Sequence, residues 1–154
     1  MNIYSWNVNG IRSALKKGFE EWFASTAPDI LCLQEVRAEE DQVPDTLRNP
    51  EGYFTYWNAC KRKKGYSGVA VYSRIEPDMV NYGFDIDEFD EEGRVLQLVF
   101  PDWVLNSIYF PNGGSGDDRL DYKLRFYDAF LENSLRWLAN GKHVLTVGDY
   151  NTCH

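Results

Sequence analysis

Apolar residues recur at two different spacings along the chain, and these spacings predict an alternation of strands and helices. Residues 2–7 form a short β-prone run. A helical stripe follows it, with apolar residues at positions i, i+4, i+7 and i+8: Leu15, Phe19, Trp22 and Phe23. Residues 30–33 are then apolar without interruption, which is typical of a strand buried on both faces. The pattern predicts a parallel strand–helix–strand unit at the start of the chain.

The middle of the chain has the pattern of short strands joined by turns. Residues 36–52 are acidic and contain prolines and a glycine, so we expect a loop there. Four β-prone runs follow, at 53–59, 69–73, 94–100 and 104–109. Their short connections predict antiparallel hairpins. The acidic segment 85–92 is expected to form a solvated surface.

The last third predicts one long helix and one strand. Residues 113–116 form a glycine-rich loop, and the carboxylates of Asp117 and Asp118 suit a helix start because they oppose the helix dipole. The helix then carries an apolar stripe: Leu120, Leu124, Tyr127, Leu131, Leu135 and Leu138. Gly141 is a suitable C-cap, and residues 144–147 form the final strand. Because neither a repeat nor a linker interrupts this order, the sequence predicts a single mixed α/β unit.

The composition is that of a folded domain and excludes several classes of protein. A chain of 154 residues can bury about 70% of its unfolded surface. The sequence lacks an apolar run of the roughly 20 residues that cross a bilayer, so we expect a cytoplasmic protein with no membrane partner. Its net charge of −8 excludes binding to nucleic acid through bulk positive charge. Any phosphate contact must be local or assisted by a cation.

Cysteine and histidine give no indication of a disulfide framework or a zinc site. The three cysteines include no CxxC pair, and the two histidines lack a zinc-binding spacing: Cys32, Cys60, Cys153, His143 and His154. The chemistry must therefore come from other side chains.

Polar residues suited to chemistry follow four of the predicted strands, at the point where each strand ends. These residues are Asn7, Glu35, Tyr109, and the pair Asp149 and Asn151. Ligands of open α/β sheets bind beyond the carboxyl ends of the strands, so these residues share one crevice if the strand ends lie together.

The residue types at these strand ends favour phosphodiester chemistry with a hard metal ion. Glu35 and Asp149 offer carboxylate oxygens, which select Mg²⁺ or Mn²⁺ over zinc. Hydrolysis of a phosphodiester needs charge neutralisation, a base that orients water, and donors for the non-bridging oxygens. We assign Glu35 to the first task and Asp149 to the second. The donors would be Asn7, Tyr109 and Asn151.

Each of these residues also has an ordinary structural interpretation. A carboxylate or asparagine at a strand end is commonly a turn former, and Tyr109 alone would be a half-buried strand aromatic. Asn112, after Pro111, is a turn residue by default. The basic run 61–64 either grips a phosphate backbone or keeps a hairpin tip soluble. The recurrence of polar groups at four strand ends favours the functional interpretation.

Six motifs occur in order along the chain. They are Trp6-Asn7-Val8-Asn9-Gly10-Ile11-Arg12, Leu33-Gln34-Glu35, Gly65-Tyr66-Ser67-Gly68-Val69-Ala70, Glu92-Gly93-Arg94-Val95, Tyr109-Phe110-Pro111-Asn112-Gly113 and Gly148-Asp149-Tyr150-Asn151. Together they closely resemble the exonuclease III family of apurinic/apyrimidinic endonucleases, within the endonuclease/exonuclease/phosphatase superfamily. The resemblance extends from the first strand to the end of the chain.

The resemblance implies a role for each residue at the strand ends. Glu35 would be the principal Mg²⁺ ligand, with Mn²⁺ able to replace Mg²⁺, and Asn7 would support the site by holding a carboxylate or a water. Asp149 would orient or deprotonate the attacking water. Asn151 would stabilise the pentacovalent phosphorus. Tyr109 would contact the scissile phosphate or assist the leaving group.

The resemblance also implies a DNA partner. Arg12 and Tyr66 would lie along the DNA groove, and Asn112 would contact a phosphate oxygen. The family hydrolyses the backbone 5′ to an abasic site and removes 3′ blocking groups or nucleotides. The implied partner is therefore duplex DNA with an abasic site or a 3′ end, bound by a monomer of the full-length chain.

The implied fold is a four-layer α/β sandwich, in which two mixed sheets pack face to face between helices. The 154 residues match the N-terminal part of this single domain, and the Ser-Asp-His motif of the family's later half is not found in them. We therefore expect the second sheet and one wall of the active site to be absent. An apolar sheet face would then be exposed, and this stretch alone would be severely impaired.

Two other functions stay open. A superfamily relative that hydrolyses phospholipid or inositol phosphate esters would use the same core, although the segments 9–12 and 65–68 favour the nuclease. An inactive fragment would instead act as a binding module, which would bind DNA regardless of Mg²⁺ and cut nothing.

Overall fold

The computed structural model describes residues 1–114 and 116–152, so Ser115, Cys153 and His154 lie outside the described residues. The strands are β1 (Ile3–Asn7), β2 (Ile30–Gln34), β3 (Phe54–Asn58), β4 (Val69–Ser73), β5 (Met79–Asn81), β6 (Val95–Val99), β7 (Trp103–Tyr109) and β8 (His143–Asp149). The helices are α1 (Ile11–Leu15), α2 (Phe19–Thr26), α3 (Asp45–Arg48), α4 (Asp87–Asp90) and α5 (Asp117–Ala139), with a 3₁₀ turn at Glu40–Gln42.

The strands form two four-stranded mixed sheets. The first has the order β1-β2-β4-β3, in which β1 and β2 are parallel and the other pairs are antiparallel. The second has the order β5-β6-β7-β8, in which β7 and β8 are parallel. The predicted parallel pair and the hairpins are confirmed, whereas the helical stripe from Leu15 to Phe23 is divided between α1 and α2. The expectation that the second sheet is absent is wrong, because β5 and β8 pair with the two sides of the β6–β7 hairpin to form a four-stranded sheet.

Successive side chains of the buried strands point to opposite faces of the sheet, and this alternation produces the layers of the fold. Ile30 and Cys32 of β2 face the second sheet and pack in one core cluster with Leu96 of β6. Leu31, between them, faces the opposite side and packs in another cluster with Phe23 of α2. This period of two is what a strand imposes on its side chains. A third cluster joins β7 to α5, so the layers run helix, sheet, sheet, helix, as the predicted α/β sandwich requires.

Helix α5 packs through a face other than the predicted leucine stripe. Its buried residues are Tyr122, Phe126 and Ala129. The five leucines of the predicted stripe are between 47% and 56% exposed: Leu120, Leu124, Leu131, Leu135 and Leu138. Aromatic rings bury more apolar area than leucines do, so the face that carries Tyr122 and Phe126 packs against the sheet. None of the helices in the described part of the chain is long and apolar enough to cross a membrane.

Two segments predicted as loop or solvated surface contain ordered structure. Residues 36–52 include the 3₁₀ turn and α3, and Leu47 of α3 is buried. Segment 85–92 includes α4, and its Phe89 and Glu92 are buried. The solvated-surface prediction was wrong at these two positions, because Phe89 packs against aromatic rings of α5 and Glu92 is paired with two arginines.

Candidate functional site

The candidate site lies where the two sheets meet, at the carboxyl ends of β1 and β8. Asn7, the last residue of β1, donates two hydrogen bonds through Nδ2. One reaches Glu35 Oε1 at 3.0 Å and the other reaches Asp149 Oδ2 at 2.8 Å. Asn7 Oδ1 accepts the backbone N–H of Asn9 at 3.0 Å, which fixes the orientation of the amide. One amide group thus holds two carboxylates from different sheets close together.

Glu35 is held in an unusual backbone conformation directly after β2. Its φ angle is 52°, in the left-handed region that non-glycine residues rarely adopt. Its carboxylate forms an ion pair with Arg37. Burial raises the pKa of Glu35, but hydrogen bonds with Asn7 and Tyr109 and the charge of Arg37 outweigh burial, so the pKa lies below its usual value. Glu35 is therefore ionised at neutral pH.

Tyr109, the last residue of β7, contributes a neutral phenol to the site. Burial, followed by the neighbouring Glu35 carboxylate, raises the pKa of Tyr109 to about 12. At neutral pH the hydroxyl group therefore keeps its proton and acts as a hydrogen-bond donor. The ring is half-buried, as the structural interpretation expected, and it also belongs to the site.

Asp149 and Asn151 are set by a close approach between β8 and β7. Gly148 has a φ angle of 147°, and a Cβ atom there would lie 1.9 Å from the carbonyl oxygen of Ile108, so only glycine fits. Asp149 Oδ1 accepts the backbone N–H of Asn151 at 2.9 Å. Asn151 Nδ2 donates to the carbonyl oxygen of Phe110 at 2.8 Å. These bonds fix the orientation of both side chains, and they leave the second oxygen of Asp149 to accept the hydrogen bond from Asn7.

The residues expected to bind DNA do not all join this cluster. Tyr66 is connected to it, because Arg94 contacts both the Tyr66 hydroxyl and the backbone of Tyr109. Arg12 is exposed on α1 and donates to the carbonyl oxygen of Arg37 at 3.5 Å. Asn112 is exposed, and its Oδ1 accepts the backbone N–H of Gly114 at 2.8 Å. Asn112 is therefore the turn residue that its position after Pro111 suggested.

Sequence reasoning gave no role to an arginine and glutamate network beside the site. Arg94 Nε donates to Glu92 Oε2 at 2.6 Å, and Arg119 Nη1 donates to Glu92 Oε1 at 3.0 Å. Arg94 and Glu92 are both buried. Glu92 and Arg94 do belong to one of the six motifs. The sequence alone does not show that they are buried, because charged residues of an acidic chain are normally exposed.

The donor set fits a magnesium-type ion better than a zinc-type ion. Among residues 1–114 and 116–152, no group of three or more His, Cys, Asp or Glu side chains is placed to hold a metal. Two carboxylates of the site could bind a metal ion, those of Glu35 and Asp149, and both accept a hydrogen bond from Asn7. Mg²⁺ is usually held by one or two carboxylates, with water and substrate phosphate completing its shell. The residues present therefore fit such an ion.

A profile of the Endonuclease/Exonuclease/phosphatase family matches residues 4–154. The chain belongs to this family. It is 41% identical over 155 aligned positions to an exodeoxyribonuclease of Bacillus subtilis, and 41% identical over 155 aligned positions to the DNA repair nuclease APEX1 of Danio rerio. Each alignment covers all of this chain. The chain spans 60% of the Bacillus protein and 50% of the Danio protein.

Solved structures of the family share the fold. The catalytic domain of Xenopus laevis APE2 superimposes with a TM-score of 0.84 and 30% sequence identity. That match covers 100% of this chain and 59% of the Xenopus chain. The resemblance inferred from the six motifs is thus confirmed. Enzymes of this nuclease family depend on a divalent metal ion, which agrees with the carboxylate donors of the site.

Proposed function

We propose that the protein is a divalent-metal-dependent DNA repair nuclease, which hydrolyses phosphodiester bonds at abasic sites and at 3′ or 3′-blocked ends of duplex DNA. The observation that carries the proposal is the Asn7 amide, which holds Glu35 and Asp149 together beside the neutral phenol of Tyr109. The relatives named as an exodeoxyribonuclease and a DNA repair nuclease support it. We propose Mg²⁺ as the metal, with Mn²⁺ able to replace it.

In the proposed mechanism each residue of the site has one task. Glu35 would hold the metal, and the bound metal supplies neutralisation of the charge that develops on the phosphate. Asp149 would accept the proton of the attacking water, since its oxygens keep free lone pairs beside the bonds from Asn7 and Asn151. Tyr109 and Asn151 would donate to non-bridging oxygens. Arg12, Tyr66 and Asn112 would contact the DNA backbone.

The metal dependence provides the first test. The full-length protein is incubated with an end-labelled duplex that carries one abasic site, in Mg²⁺ or in EDTA. We expect incision at the abasic site in Mg²⁺, beside any shortening of the 3′ ends that the control duplex also shows, and no cleavage in EDTA, with activity restored by excess Mg²⁺ or Mn²⁺. The same duplex without the abasic site is the control. Incision that persists in EDTA, or DNA binding without any incision, would contradict the proposal.

We further propose that residues 1–154 are the N-terminal part of a single domain, which a C-terminal part completes. Two features support this. The chain spans 60% of the Bacillus relative and 50% of the Danio relative. A groove of about 710 Å³ between α5 and residues 150–152 is lined by apolar groups that nothing in the described residues covers, among them Leu120, Leu124 and Tyr150. The C-terminal part would cover this groove.

A charge placed in the groove tests this domain proposal. Leu124→Lys is expected to destabilise the full-length protein by about 2 kcal/mol, because a leucine buried by the C-terminal part is worth that much. In the isolated chain of 154 residues the same change is expected to leave the melting temperature unchanged and to reduce self-association. Light scattering and thermal melting measure both effects. If Leu124→Lys instead separates a full-length dimer into monomers, a second copy covers the groove and the proposal fails.

The basic run 61–64 predicts part of the salt dependence of DNA binding. All four side chains are exposed, and Arg62 pairs with Glu91. Replacing the four with alanine is expected to flatten the plot of log affinity against log salt by about 0.9 for each phosphate that the run neutralises. Arg136→Ala, at an exposed arginine of α5, is the control and should leave the slope unchanged. An unchanged slope in the quadruple variant would show that this run only solubilises a turn.

A further inference from the structure

Arg94 is a buried arginine that contacts two tyrosines of the proposed site. Only 1% of its surface is exposed. Its Nη1 donates to the carbonyl oxygen of Tyr109 at 3.1 Å, and its Nη2 donates to the hydroxyl oxygen of Tyr66 at 2.9 Å. Its Nε donates to Glu92 at 2.6 Å. Each of the three nitrogens of the guanidinium group is therefore committed to a different residue.

The aromatic rings and the backbone reinforce these contacts. The guanidinium carbon lies 4.9 Å from the centre of the Tyr109 ring and 5.6 Å from the centre of the Tyr66 ring, which is cation–π range. The carbonyl oxygen of Arg94 also accepts the backbone N–H of Tyr109 at 2.9 Å. Tyr109 is thus held by Arg94 at its N–H, its carbonyl group and its ring.

The charge balance explains how an arginine can occupy this position. Burying a guanidinium group is costly unless it is paired and hydrogen-bonded. Glu92 supplies the opposite charge, and Arg119 binds the same carboxylate from the other side. A structural ion pair between Arg94 and Glu92 needs no contact with either tyrosine. The planar guanidinium group of Arg94 donates to three acceptors from three separate nitrogens, whereas the three N–H groups of a lysine share one nitrogen.

We propose that Arg94 is a positioning residue, which fixes the distance between Tyr66 and Tyr109 so that a DNA strand contacted at Tyr66 presents its phosphate to Tyr109. The inference rests on the proposed nuclease function and deepens it. Arg94 itself touches neither the metal donors Glu35 and Asp149 nor Asn7 through any hydrogen bond in the described residues. Its effect on the reaction therefore passes through the two tyrosines.

The test compares Arg94→Lys with Arg119→Lys in the full-length protein. Both replacements keep the positive charge beside Glu92, but only Arg94→Lys removes the guanidinium group that contacts Tyr66 and Tyr109. Arg94→Lys is expected to lower kcat on the abasic duplex by up to about 100-fold, the loss that a misplacement of roughly 1 Å in a reacting group can cause. Arg119→Lys is expected to keep the parent kcat. Melting temperatures of both variants measure how far stability alone accounts for the loss.

A double-mutant cycle with Tyr66→Phe supplies a readout that a purely structural role would not change. Phenylalanine keeps the ring and removes only the hydroxyl oxygen that Arg94 contacts. Affinity for the duplex is measured in EDTA, so cleavage is not needed. If Arg94 acts through Tyr66, Arg94→Lys should weaken binding less in the Tyr66→Phe background than in the parent.

The outcomes separate the two proposals. If the parent protein cuts the abasic duplex and Arg94→Lys cuts it equally well, the positioning role is overturned and the nuclease function stands. Additive effects of Arg94→Lys and Tyr66→Phe on binding, or activity losses in both lysine variants that only follow their melting temperatures, also overturn it. If the parent protein neither binds nor cuts DNA, the nuclease function fails, and the positioning proposal fails with it.

Discussion

Asp149→Asn is expected to lower the single-turnover rate of abasic-site cleavage by about 10²–10⁴-fold, the usual contribution of a general base. The physical reason lies in the two donors that face the carboxylate. Asn7 Nδ2 donates to one oxygen and the Asn151 backbone N–H to the other. An asparagine offers one acceptor oxygen in place of two, so it cannot satisfy both donors and can no longer accept a proton from water. Quenched-flow cleavage at saturating protein measures the rate.

A matched replacement away from the site separates this effect from general damage. Asp102→Asn changes the same functional group at an exposed position in the turn between β6 and β7, and it should cleave at the parent rate. Affinity for the duplex in EDTA should be almost unchanged in Asp149→Asn, since Asp149 is not expected to bind the DNA backbone. A variant that retains most of the parent rate would remove Asp149 from the mechanism.

The second large effect is expected on stability, at the buried pair of Glu92 and Arg94. Glu92→Gln removes the carboxylate that faces both Arg94 and Arg119, and it leaves the buried Arg94 charge without compensation. Removing one partner of a buried ion pair typically costs about 3–5 kcal/mol. The free energy of unfolding from urea titration measures the loss. Glu91→Gln, at the preceding residue, removes only the charge of the exposed pair with Arg62 and should cost about 0–1 kcal/mol.

The same pair predicts a dependence of stability on pH. Burial raises the pKa of Glu92, but the hydrogen bond from Arg119 and the charge of Arg94 outweigh burial, so its pKa in the folded protein lies below the ordinary value. Its contribution to stability is therefore fully present above the ordinary glutamate pKa of about 4.3 and is lost as the pH falls through the lower folded value. Glu92→Gln should have a smaller loss of stability than the parent over this acid range. Equal acid sensitivity would contradict the assignment.

The elements with a clear hydrophobic period could be predicted from the sequence. The parallel pair β1 and β2 and the hairpin β6 and β7 follow from apolar runs and short connections. Strand β5, with three residues, has too little sequence to produce a period and exists because it pairs with β6. In α5 two apolar stripes compete, and the period of the leucines does not show that the face with the larger aromatic rings packs against the sheet.

The sequence indicated which residues lie at the candidate site, but it did not indicate how those residues contact one another. Strand ends identified Asn7, Glu35, Tyr109 and Asp149, because polar residues after buried strands are visible in the sequence. The bridge from Asn7 to Asp149 spans 142 positions of the chain, and such a contact follows only from the packing of the two sheets. Arg94 was missed for a related reason, since the burial of a charged residue depends on partners that are distant in sequence.

We propose that Glu35 and Asp149, joined by Asn7, act as one catalytic unit. The most direct test is single-turnover cleavage of the abasic duplex by Glu35→Gln, Asp149→Asn and the double variant, in the full-length protein at saturating Mg²⁺. A unit predicts that the double variant is about as slow as the slower single variant, because residues that act together are strongly non-additive. Rate losses that multiply in the double variant would show that the two carboxylates act independently and would contradict the claim.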